Sequence, residues 1–289
     1  RRVPGALERG VVIGYDGRHG SEVFAHDAAS VLSALGFQVH LATQTLATPT
    51  VAYAVRYFGA AAGIMVTASH NPPEYNGYKV YWGNGAQIIP PHDHGIAEAI
   101  DQAATEAIPF IPLQKARELR LIQMFGPKLL EYYLSEVIKA NAYPSAPGIS
   151  ELTIVYTPLH GVGAEAAERA LLMAGFTNVH TVASQREPDG DFPTVRFPNP
   201  EEPGAMDLSL ALAKEVGADL IFANDPDADR LAVAVPNGEG TYQMLTGNEI
   251  GVLLGADLIN AHGNNAIVGT TIVSSRLLSQ IAAAHDVDY

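Results

Sequence analysis

Residues 10–42, GVVIGYDGRHGSEVFAHDAASVLSALGFQVHLA, hold the pattern that organises this chain. Val11–Tyr15 is a short apolar run of the kind that forms a buried strand. A polar loop with two glycines follows it. Glu22–Leu35 reads as a helix, and Val39–Ala42 as a second strand. Strand, loop, helix and strand make a β–α–β unit.

The same alternation runs outward. Further strands are expected at Ala62–Thr67, Leu152–Tyr156, Leu220–Ala223, Leu231–Val235 and Ala266–Val273. Helices are expected at Pro127–Ala140, Ala164–Ala174, Asp207–Val216, Asn248–Ala261 and Ser274–Ala284. This is an α/β pattern, with helices covering both faces of a sheet. LTIVYTPLHGVG leads through a helix to LMAGFTNVH, and AIVGTTIVSS to a helix ending AAAHDVDY, much as the first unit does. Three such units suggest three related domains, although any β–loop–α segment shares the outline. Breaks are expected near 120, after the proline-interrupted Ala107–Leu113, and near 241, after the PNGEG turn. The third unit reaches Tyr289 before returning to a sheet, so a longer parent protein is expected.

Bulk properties narrow the function. Of 289 residues, 47% are hydrophobic and 17% charged, which fits packed domains rather than disorder. No apolar run is long enough for a membrane span. The opening RRVPGALERG is not expected to be a signal peptide. The chain has no cysteine, which rules out disulfides, thiolate metal sites and cysteine nucleophiles within it. A cytoplasmic location is the expectation. The net charge of −14 disfavours binding to nucleic acid or anionic membrane through a broad basic face. An anionic substrate would need a local reversal of charge from a metal, a few Lys and Arg, or helix N-termini.

Two loops carry chemistry. Gly63–Thr67 is followed by ASHNPPEYNGYKVY, a proline-rich loop leading to another strand. Ser69 stands just past the strand end, where α/β proteins present reactive groups. No Gly-x-Ser-x-Gly elbow surrounds it, and its histidine neighbour is adjacent in sequence, so a hydrolase is disfavoured. His70 is read either as a loop-stabilising hydrogen bonder or as a phosphate contact. Lys79 is either a solvated charge or, partly buried, a lysine with a lowered pKa suited to proton transfer.

The second loop follows Leu220–Ala223 and reads NDPDADR, with Asp225, Asp227 and Asp229 at alternate positions. Carboxylates in this number suit a hard cation such as magnesium or calcium. An extended chain would spread them over about 13 Å, too far for ligands at ~2.1 Å. The chain must therefore curl, and Pro226 favours that. An EF-hand does not fit, since Arg230 stands where glycine is required and Pro236 where glutamate is. A solvated acidic turn is the bland alternative. Asp189-Gly190-Asp191 also alternates acids, but it reads as turn chemistry.

TASHNPPEYNGYK and DPDADR together resemble the phosphoserine and metal loops of the α-D-phosphohexomutase family, which includes phosphoglucomutases and phosphomannomutases. NGAQIIPPHD, HGVG and FPTVRFPNPEEP extend the resemblance over essentially the whole chain and bring it nearest the branch that combines phosphoglucomutase with phosphopentomutase activity. The resemblance implies consecutive three-layer α/β/α domains with mixed sheets. Domain I would span 1–120 with the phosphoserine loop, domain II 121–241 with the metal loop, and 242–289 would begin an incomplete domain III. It implies that Ser69 carries phosphate, and that Asp225, Asp227 and Asp229 hold Mg²⁺ together with a phosphoserine oxygen on Ser69. Lys79 would transfer a proton, His70 and Asn71 would lie in the phosphate environment, and Arg230 near the phosphoserine.

The implied reaction interconverts sugar 1-phosphate and 6-phosphate through a bisphosphate, which also serves as activator. A phosphopentomutase acting on 1- and 5-phosphates is a close variant. The family's arginine-bearing opening loop, its sugar-recognition loop and its fourth domain would lie outside this stretch. The stretch alone is therefore expected to be inactive. The competing readings are a module that only binds metal and phosphate, and a phosphatase with Asp225 as nucleophile.

Overall fold

The computed structural model describes residues 3–144 and 146–289. The first helix, α1 (Ala6–Arg9), is a single turn leading into β1 (Val11–Tyr15). All five residues of β1 are buried, as an apolar run flanked by strands on both sides requires. α2 (Ser21–Ala34) and β2 (Val39–Ala42) complete the first β–α–β unit. α3 (Thr48–Tyr57), β3 (Ala62–Val66) and β4 (Tyr78–Trp82) follow, then α4 (His92–Ala103), α5 (Leu113–Glu118), β5 (Ile122–Phe125) and α6 (Pro127–Lys139). The sheet order is β4-β3-β1-β2-β5. All pairs are parallel except β3 with β4, whose register sets Met65 opposite Lys79. α2 packs with α5 and α3 with α6 to form the helix layers.

The second sheet repeats the plan. β6 (Thr153–Thr157), α7 (Ala164–Met173) and β7 (Asn178–Thr181) form its β–α–β unit. α8 (Asp207–Val216), β8 (Leu220–Ala223), β9 (Ala232–Pro236) and β10 (Tyr242–Leu245) follow. The order is β10-β9-β8-β6-β7, with β9 antiparallel to both β8 and β10 and the other pairs parallel. The fold is thus α/β with mixed five-stranded sheets. α6 and α7 join the two halves. Beyond β10, α9 (Gly247–His262) begins with a capping box between Thr246 and Glu249, and α10 (Leu277–Ala284) packs on it through Ile259 and Leu278.

Two breaks and one strand differ from the sequence reading. The first sheet runs past residue 120, because β5 pairs with β2 after the irregular Ala107–Pro112 stretch. The second sheet runs past 241, because β10 pairs with β9. Ala266–Val273 is not a strand. It makes one parallel bridge, Ile267 to Asp288, and Ile272 and Val273 are fully or nearly fully exposed. β-branched residues form a strand only with a partner to pair with and a surface to pack on. No helix among the described residues is long and apolar enough to cross a membrane.

Candidate active site

The loops that leave the C-terminal ends of β1, β3, β6 and β8 gather at one place, where open α/β sheets bind ligands. The loop after β3 carries Ser69, whose backbone is left-handed at φ 53°. A side chain in that region carries a cost, so the neighbours must hold it there. Thr67 Oγ1 accepts from the Ser69 amide at 2.9 Å, and the Ala68 carbonyl accepts from the Asn71 amide at 3.0 Å.

The loop after β8 curls, as three adjacent carboxylates require. Ala228, at φ 56°, donates its amide to the Asp225 carbonyl at 2.9 Å. Pro226 presses on the loop after β6, and its carbonyl accepts from Val162 at 2.9 Å. A Cβ on Gly161 would stand 2.4 Å from Pro226 Cα, so only glycine lets the two loops meet.

The two loops face each other across the halves of the molecule. The Ser69 hydroxyl donates to Asp225 Oδ2 at 2.9 Å, and His70 Nδ1 lies 3.3 Å from Ser69 Oγ. Lys79 Nζ donates to Asp227 Oδ2 and Asp229 Oδ2, both at 2.6 Å. Thr48, at the start of α3, donates its hydroxyl to Asp227 Oδ2 and its amide to the Asp227 carbonyl. Asp225 and Asp227 are completely buried, while Asp229 is exposed.

Electrostatics separate the acids. Burial, reinforced by the charge of Asp227, pushes the Asp225 carboxyl up to about 7. Burial also acts against ionised Asp227, but Lys79 and Thr48 outweigh it and hold that carboxyl below its usual range. Burial and the nearby Arg230 lower the His70 pKa. For Lys79 the expected direction is reversed. Burial does pull its ammonium down, but Asp227 and Asp229 outweigh it, so its pKa is raised and it is a firmly charged group here. Arg230 secures Asp225 through its backbone, the amide donating to Asp225 Oδ1 at 3.1 Å. The Asn71 carbonyl is engaged by Arg18, and its side chain is exposed.

The donor set fits a hard cation. One oxygen each from Asp225, Asp227 and Asp229 lie within 4.8 Å of one another. Asp227 Oδ1 is buried without a hydrogen-bond partner. A buried carboxylate oxygen without a partner is costly, and a divalent ion would satisfy it. Asp189-Gly190-Asp191 forms a turn, with Asp189 Oδ1 accepting from the Asp191 amide, and stands apart from this cluster.

Sequence reading missed Thr48, Thr67 and Arg18. Thr48 and Thr67 had no separate signal. Arg18 had one, since it lies in the polar loop directly after β1, a strand end of the same kind as that before Ser69.

Two mixed-sheet α/β halves that bring a serine loop against an acidic loop define the class, and the chain belongs to the α-D-phosphohexomutase family. Residues 4–107 match the profile of the phosphoglucomutase/phosphomannomutase α/β/α domain I, and residues 131–238 that of domain II. A probable phosphomannomutase of Haemophilus influenzae is 44% identical over 95% of this chain and 56% of its own length. The phosphopentomutase of Mus musculus is 38% identical over 96% of this chain and 47% of its own length. The chain thus spans about half the length of these curated relatives. A crystal structure of a phosphoglucomutase/phosphomannomutase family protein from Burkholderia thailandensis shares the fold, with TM-score 0.74 at 23% identity over 96% of this chain and 56% of that one.

Proposed function

We propose that this chain carries the phosphoryl-transfer centre of a magnesium-dependent sugar-phosphate mutase, with Ser69 as the phosphate carrier. The observation that carries the reading is the 2.9 Å contact of the Ser69 hydroxyl with Asp225, inside a cluster of three acids suited to a cation. Asp225, Asp227 and Asp229 would hold Mg²⁺. Bound there, the ion would neutralise charge on the phosphoryl group in transfer.

In the forward half-reaction the bond between Ser69 Oγ and phosphorus breaks. A bond forms from phosphorus to a sugar hydroxyl oxygen, and the hydroxyl gives up its proton. Lys79 is the acceptor we favour for that proton: it must first leave Asp227 and Asp229 and give its own proton to solvent, and it then takes the hydroxyl proton as a neutral amine. His70 and Asn71 lie beside the serine and Arg230 beside Asp225, placed to meet phosphate oxygens. The resulting bisphosphate turns over and returns its other phosphate to Ser69, which explains a need for sugar bisphosphate as activator. The substrate would be a freely diffusing sugar phosphate in the cytoplasm, interconverted between 1- and 6-phosphate. A pentose 1-/5-phosphate is the alternative, favoured by the phosphopentomutase relative. Residues from about 247 onward would begin a third domain.

The test is incubation of the full-length protein with glucose 1,6-bisphosphate and Mg²⁺, followed by phosphopeptide mapping. Label on Ser69 is expected, and Ser69→Ala should remove it while leaving Mg²⁺ binding in place. Asp227→Ala should lose the metal. Turnover without label on Ser69 sinks the proposal, and label on Asp225 would favour a phosphatase. Comparing kcat/KM for glucose, mannose and ribose 1-phosphates identifies the sugar.

A further inference from the structure

Arg18 is 4% exposed, yet it lies on neither of the two loops that define the site. Its guanidinium reaches across to the serine loop and donates to four of that loop's backbone carbonyls. Nη2 contacts Ser69 O at 2.7 Å and Asn71 O at 2.5 Å, and Nη1 contacts Pro72 O at 2.8 Å and Tyr75 O at 3.4 Å. A planar fork with five N–H groups can bridge four carbonyls, whereas a lysine ammonium presents three donors at one point.

The arginine is itself held from both halves of the molecule. Asp16 Oδ2 lies 3.5 Å from Nε, and Asp16 Oδ1 accepts from the Arg18 amide and the Ser21 hydroxyl. Ser21 Oγ in turn accepts from Asn76 Nδ2 at 2.9 Å, a second tie to the serine loop. From the second half, the Phe192 ring stacks over the guanidinium at 4.9 Å. Phe192 is buried and left-handed at φ 47°. Its loop fits closely against the one after β1: a Cβ on Gly17 would stand 2.7 Å from Pro188 Cβ.

Burying a guanidinium is costly, and carbonyls repay its charge less well than a carboxylate paired end-on. A residue serving packing alone would be better apolar. The geometry has a more specific result. The carbonyl of Ser69 itself is pinned, and Ser69 is the residue whose left-handed backbone needs holding. We propose that Arg18 is a positioning residue for phosphoryl transfer: it locks the serine loop so that Ser69 Oγ faces Asp225, and Phe192 seats it from the other half of the molecule. This rests on the reading of Ser69 as the phosphate carrier. Arg18 acts through the serine loop, so its loss should lower kcat and leave KM near its original value.

The experiment compares the full-length wild-type protein with its Arg18→Lys, Arg18→Ala and Phe192→Leu variants. Hydrogen exchange of residues 67–77 is measured without substrate. Phosphorylation of Ser69 by glucose 1,6-bisphosphate with Mg²⁺, and mutase kcat and KM, are measured alongside. For both Arg18 variants, exchange in 67–77 should quicken and kcat fall by about tenfold or more, as expected for lost charge-assisted hydrogen bonds. KM and exchange in the second sheet should hold. Added guanidinium should restore phosphorylation to Arg18→Ala and not to Arg18→Lys. Phe192→Leu should loosen the same segment to a smaller degree. Unchanged exchange in 67–77, or a loosened loop with kcat intact, overturns the proposal. If Arg18→Ala does not fold, Arg18→Lys and Phe192→Leu decide by the same readings. If the wild type takes no phosphate, the mutase reading fails, while the exchange data still decide whether Arg18 holds the loop.

Discussion

Thr48 gives both its hydroxyl and its amide to Asp227, a residue of the other half of the chain. The hydroxyl fixes one carboxylate oxygen and leaves Asp227 Oδ1 as the free, buried one. Groups that orient a ligand from behind commonly govern metal affinity by about ten- to hundredfold. Thr48→Val keeps the shape and removes the donor, so Mg²⁺ binding measured by calorimetry should weaken by about that factor. Unfolding in urea should show a loss of about 1–3 kcal/mol. At this scale Ser69 and the three aspartates were legible, because strand ends, prolines and alternating acids mark them locally. Thr48 was not, because its partner lies 179 residues away. For Arg18 the strand-end loop was marked but its contacts, 51 to 57 residues away, were not, since only the folded chain joins them. The direction of the Lys79 shift was hidden for the same reason, since two carboxylates from the other half decide it.

Among the elements, β2 offers a pH test. His40 stacks on Phe58 at 4.3 Å between ring centres, and its Nδ1 is buried without a hydrogen-bond partner. Burial lowers its pKa below the ordinary 6.5. The unfolded chain therefore takes up the proton more readily than the folded one. The stability that neutral His40 contributes is complete above about 6.5 and is lost as pH falls from there toward the folded-state value. The Tm of the wild type should fall across that window, and His40→Phe, which keeps the stacking, should show a shallower fall. The central strands were legible as continuous apolar runs, with β1, β2 and β8 falling where expected. The edge strands β5, β7 and β10 have four residues each, too few to show an alternation. Ala266–Val273 shows the converse, a composition suited to a strand without the neighbours that make one.

On the scale of the whole molecule, the surface near the C-terminal helices carries exposed apolar side chains. Leu253, Leu254 and Leu258 on α9 are exposed, as are Ile267, Ile272 and Val273. An apolar area of this kind favours association, and the net charge of −14 opposes it. Salt screens that repulsion within about 10 Å at 0.1 M. Sedimentation velocity on this chain should therefore show association rising with salt, and Leu254→Lys should reduce it.

β3 and β4 are neighbours in the sheet, and residues 67–77 are all that join them. Side chains along β4 point alternately to opposite faces, and Lys79 meets Asp227 and Asp229 only in the register that sets it opposite Met65. A slip of one residue in that pairing would turn the ammonium to the far face and take it away from both acids. The pairing of β3 with β4 is therefore as much a condition of the site as the acids it meets.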